Sequence, residues 1–173
     1  HQLGGNQPGR PQLINPVTLF KFVQFFDQLD LCDQFINHND NQNKSISLFT
    51  SGENILQMGG YLSPVNRQIT NANVFCMNTA AIMTTETWKN QNGYDKLHNI
   101  FNANKLEEEL IHFGIRYCKI LRDENMRNNR RAEAQTNQYD ALQLIVALGI
   151  SLQTFMDELP DNDTAEQPFE YPL

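Results

Sequence analysis

Apolar side chains recur at helical spacing along most of this chain, and that spacing is what most narrows the folds open to it. Leu106, Leu110, Phe113, Tyr117, Ile120 and Leu121 return every three to four positions or beside one another, as do Tyr139, Leu142, Ile145, Val146, Ile150, Leu152, Phe155 and Met156. Residues so spaced share one face of a helix, and burying that face is what stabilises it. The first run predicts a long helix whose period holds best to about Arg122. The second predicts a strongly apolar helix closed by Pro160, with a weak region at Asn128, Asn129, Thr136 and Asn137 between them.

The N-terminal half yields to the same reading. Asn15-Pro16 is a cap followed by a first-turn proline, and Leu19, Phe22, Val23, Phe26, Leu29, Phe35 and Ile36 keep the period through about Asn37. His38 to Ser45 is a polar loop. A short helix begun at Ser51 and closed by Gly59-Gly60 follows, and Ser63-Pro64 repeats the cap-and-proline signal. Val74, Phe75, Met77, Ala81, Ile82, Thr85 and Trp88 space out as a helix ending near Asn90, before Asn92-Gly93; Tyr94, Leu97, Ile100 and Phe101 mark another. No strand alternation of useful length and no internal repeat is visible. The expected fold is all-α: a single helical bundle-like domain of about five to seven helices over residues 16–159, with an extended N-terminal arm at 1–15 and an acidic C-terminal arm at 160–173.

Several classes of chemistry are set aside by spacing. The longest apolar stretch, Leu144 to Ile150, is seven residues, far short of the roughly 20 that span a bilayer. His112 and Cys118 are the closest His/Cys pair, six residues apart, where a helical zinc pair needs three or four, so no metal site is expected. Gly59-Gly60 lacks the Lys-Ser/Thr of a phosphate loop, and no nucleophile elbow, metalloprotease or calcium-loop motif occurs. Glu107, Glu108 and Glu109 open a helix, where acids complement its dipole. No catalytic residue and no cofactor is implied. Cys32, Cys76 and Cys118, odd in number and without close spacing, read as reduced core thiols in helical patterns and imply an intracellular setting.

Charge carries the one functional signal. The chain's net −7 argues against a generically basic nucleic-acid binder, but the distribution is uneven. Arg116 to Arg131 holds six bases and two acids, and Asp157 to Glu170 holds six acids and no base. On a helix continuing through Arg131, the five bases Arg116, Lys119, Arg127, Arg130 and Arg131 fall within about 120°, beside the apolar face, where guanidinium forks could meet phosphates. The expected function is therefore non-enzymatic and structural: a homo-oligomeric subunit that packages nucleic acid, RNA before DNA, on those five bases. It would assemble through its arms, with Phe169 and Tyr171 as docking side chains. Helical viral coat proteins and nucleoproteins share this general plan by analogy of architecture alone. The alternative is a helical adaptor that binds another protein through an exposed aromatic patch.

Overall fold

In the computed structural model, residues 23–158 are described, the side chains as far as Thr154. The two arms, with Phe169 and Tyr171, and the predicted helix start at Asn15-Pro16 lie outside the described residues. The described residues divide into two compact units, residues 23–110 and residues 111–158. The division falls inside one long helix.

The first unit corrects the all-α expectation, because it is built on a parallel sheet. Helix α1 (Leu29–Asn37) leads through a 3-10 turn (Asn39–Asn41) to strand β1 (Ile46–Ser51); two short helices, α2 (Gly52–Gln57) and α3 (Gly59–Leu62), precede β2 (Ile69–Cys76). Helix α4 (Thr79–Asn92) precedes β3 (Leu97–Asn102). The strands lie in the order β1-β2-β3, all parallel, with β2 central. Parallel neighbours need crossover connections, and α2 and α4 supply them, touching the sheet and each other. Ile36, Ile55, Leu62, Ile69, Val74 and Leu97, each under 2% exposed, form the core of this layered unit.

Two bulges interrupt the register, and the second explains how β3 arose where the spacing predicts a helix. Opposite β1, Ile69 pairs with Ile46 and Asn71 with Ser47, so Thr70 has no counterpart. Opposite β2, Leu97 pairs with Ala72 and Asn99 with Asn73, so His98 has none. Side chains alternate strictly along a strand, and one extra residue inverts their parity. Leu97 and Ile100 therefore fall on the same face, aligned with Ala72 and Val74, three positions apart in sequence. Cys76 accordingly sits on a strand, not on a helix, buried against Thr85.

Local hydrogen bonds fix where the elements begin and end. Ser51 starts α2 as expected, its Oγ accepting from the Asn54 amide at 3.2 Å. Asn78 caps α4 the same way through Ala81 at 2.9 Å, and Gly93 ends that helix in the left-handed region at φ 64°, where a side chain would be strained. Gly59-Gly60 opens α3 instead of closing α2, and Ser63-Pro64 forms a turn before β2. Residues 23–28 are not helical, so α1 is only the last part of the helix read from the sequence. Gly52 is needed for space: a Cβ there would lie 2.9 Å from Cys76 Sγ and 3.1 Å from Thr85 Oγ1, both buried. Gly52→Ala is expected to cost about 1–3 kcal/mol, the usual penalty of overpacking, measured as a lower urea midpoint.

The second unit is helical. Helix α5 (Leu106–Arg127) and helix α6 (Arg131–Glu158) are joined by three residues, of which Asn129 takes φ 57°. So short a link folds the second helix back along the first. The Asp140 charge is accordingly felt at the Cys118 thiol, each residue eleven positions from Asn129. The expected break at Asn128 and Asn129 is present, whereas Thr136 and Asn137 continue the helix, the Thr136 hydroxyl donating to Ala132 O. Ile111, Gly114 and Cys118 are buried on α5, and Ala134, Leu144 and Ala147 on α6. Among the described residues, no helix is long and apolar enough to cross a membrane.

Candidate nucleic-acid interface

Of the five expected phosphate contacts, the structure groups three on one helix face and places two at the turn. Arg116, Lys119 and Arg127 are exposed on α5. They project within about 80° of one another, on the side away from buried Ile111, Gly114 and Cys118. The helix does not run on through Arg131. It ends at Arg127, the left-handed Asn129 redirects the chain, and Arg131 becomes the first residue of α6. The single stripe is therefore replaced by a cationic helix face leading to a cationic tip, where Arg127, Arg130 and Arg131 lie within five positions. These cations face outward and do not flank the buried side of α5.

A solvated helix face would pair such cations with the acids beside them. Asp123 pairs instead with Arg122, accepting from Nε at 2.9 Å and Nη2 at 2.7 Å. Among the described residues, none of Arg116, Lys119, Arg127, Arg130 and Arg131 forms an ion pair. Arg127 donates only to the Asp123 carbonyl, at 3.3 Å. Arg122, which the helical projection set apart from the others, lines a cleft of about 430 Å³ with Asp123, Met126, Arg131 and Gln135. No sequence signal marked it, because the cleft exists only once α6 turns back.

The position of Arg130 and Arg131 has an electrostatic consequence. Arg130 is the residue before α6, its carbonyl accepting from the Ala134 amide at 3.0 Å. A guanidinium has no acceptor with which to cap the first free amides of the helix. Two positive charges therefore sit at the positive end of the α6 dipole, with one acid, Glu133, in the same turn; the surplus of positive charge there costs stability and favours an anion.

Other chemistry-bearing groups are occupied structurally. Gln68 Nε2 donates to the carbonyls of Ile36 and Asn41, and Lys96 Nζ to those of Ser63 and Asn66, tying loops to the sheet. Tyr61 donates to Asp33, with Asn37 donating to the Tyr61 oxygen at 2.8 Å. Burial, with Asp33 beside it, raises the Cys32 thiol above its usual range, and burial with Asp140 nearby does the same for Cys118, which disfavours the reactive thiolate. Burial also raises Tyr61. Groups whose folded values are raised contribute stability that is full below their unfolded values, about 8.5 for Cys and 10 for Tyr, and is lost as pH rises through the folded ones. The melting temperature is thus expected to fall above about pH 8.5, and the native thiols to react with an alkylating agent at neutral pH far more slowly than in urea.

A second cleft, about 320 Å³, lies between α4 and β3, lined by Glu86, Lys89, His98 and Asn99. Among the described residues, no three His, Cys, Asp or Glu side chains converge as a metal site would require. Compared with known protein families, curated proteins and solved structures, the chain matches no family model, no curated sequence and no solved fold.

Proposed function

We propose that this protein is a non-enzymatic structural subunit that associates with copies of itself and holds nucleic acid by its sugar–phosphate backbone, RNA being the first substrate to test. The observation that carries this reading is the group of five exposed cations on α5 and at the α5–α6 turn, without carboxylate partners among the described residues, in a chain of net charge −7. Phosphates would satisfy guanidinium forks and the uncapped start of α6 together. Base readout is no part of this proposal: backbone contacts position a strand without reading its sequence.

The test is direct titration of the purified, nuclease-treated full chain with a fluorescent single-stranded RNA of mixed sequence. Binding that tolerates changes of sequence and weakens with salt is the expected result. No binding at low salt would refute the proposal.

A further inference from the structure

Helix α6 carries two apolar seams, and only one is buried. Leu144 and Ala147, at 0% and 7% exposure, lie on the buried side of the helix. On the other side Leu142, Ile145, Val146 and Leu152 are each about half exposed, at 51, 49, 51 and 49%, and Tyr139 is 61% exposed. Leu142, Ile145, Gly149 and Leu152 recur at intervals of three, four and three, the spacing with which one helix meets another in a coiled-coil seam. A helix apolar all round is normally buried all round. From Tyr139 to Leu152 this side of α6 is half open to solvent.

We infer that the outer seam of α6 is the surface through which two copies of this chain associate. Three observations select a second copy over an unrelated partner. The sixteen residues from Ala141 to Met156 carry no charge, so two chains of net −7 can meet there without like charges facing each other. The seam has the periodicity of the helix that would oppose it, as a self-complementary two-fold contact requires. The area also suffices: five half-exposed apolar side chains with exposed Gln138 and Gln153 at the rim correspond to roughly 1,000 Å² buried over both copies, near the lower limit for a specific interface. Gly149 adds room for close approach, since a Cβ there would meet nothing within 4 Å. An interface of that size makes a weak dimer, populated at micromolar concentrations and above.

This inference rests on the reading of the chain as a self-associating subunit, and it moves the contact from the terminal arms to α6. The test is analytical ultracentrifugation of the nuclease-treated full chain across a hundredfold range of concentration, at high salt so that cation–phosphate contacts play no part. The wild type is expected to pass from monomer to dimer. Ile145→Glu/Leu152→Glu is expected to remain monomeric at every concentration with an unchanged circular dichroism spectrum. Leu142→Gln/Val146→Gln, a milder pair of exposed replacements, is expected to weaken association at least tenfold. A wild type that stays monomeric throughout overturns the inference. A folded Glu variant that still dimerises overturns it too and returns the contact to the arms. RNA titration of the wild type separates the two proposals: a wild type that dimerises but binds no RNA fails the functional reading alone, and one that binds RNA but stays monomeric fails this inference alone.

Discussion

Leu97→Ala is expected to destabilise the α/β unit by about 2–5 kcal/mol, a large share of the roughly 5–15 kcal/mol that holds a domain of this size together. Leu97 is fully buried at the start of β3, in one cluster with Ile69, Ala72 and Val74. Its register with Ala72 places it on the face where α4 packs. Truncation removes three carbons from a site whose surroundings are held by the sheet and cannot close over the gap. His98, the bulged neighbour, is exposed, and His98→Ala should change stability by less than about 0.5 kcal/mol. Urea denaturation of the two variants measures both. Equal effects at Leu97 and His98 would mean that the residues do not sit on a bulged strand.

That contrast shows why half of the fold was legible in the sequence and half was not. Where helices are long, spacing sufficed: α5 and α6 run where Leu106 to Leu121 and Tyr139 to Met156 place them, and the break at Asn128 and Asn129 separates them. The caps at Ser51 and the end of α4 before Gly93 were also readable, because each depends on one residue's own chemistry. Strand β3 was hidden by its bulge. Leu97, Ile100 and Phe101 stand at intervals that match a helix turn, and Ile69 and Ala72 do likewise. Parallel strands also form only across connections of more than a dozen residues, beyond the reach of local periodicity.

The carboxamides illustrate the same limit. The chain contains 21 Asn and 15 Gln, a polar complement that would suit contacts between subunits. Many instead act within the fold: Asn66 Oδ1 accepts from the amides of Gln68 and Ile69, Asn41 links Phe35 O to Lys44, and Asn99 donates to Glu109 at 3.1 Å. Asn71, Asn73 and Asn99 share the sheet face opposite the main core, by register. The candidate site was legible as a set of residues, whereas its geometry depended on a left-handed Asn129 that no spacing argument could place.

The second large effect is expected at the hairpin tip. Arg127→Gln/Arg130→Gln/Arg131→Gln should lower RNA affinity about 100-fold at about 0.1 M salt, since each lost phosphate contact removes roughly 0.7 of a released counterion on a single strand. All three side chains are exposed, so the core is untouched. Removing Arg130 and Arg131 relieves the start of α6, whereas removing Arg127 takes a favourable charge from the last turn of α5, so stability should stay within about 1 kcal/mol of the wild type. Weaker binding with stability inside that range is the signature of residues retained for a ligand. Weaker binding together with a loss of stability beyond that range would mark them as structural.

Salt decides between a hairpin that holds phosphates and one that is simply hydrated. RNA affinity measured from about 50 to about 200 mM salt should fall about 100-fold for the wild type, with a log–log slope near −3.5 for five contacts. For the triple Gln variant it should fall only about sevenfold, with a slope near −1.4. Identical slopes for the two proteins, or a wild-type affinity indifferent to salt, would contradict the assignment of nucleic-acid binding to Arg116, Lys119, Arg127, Arg130 and Arg131.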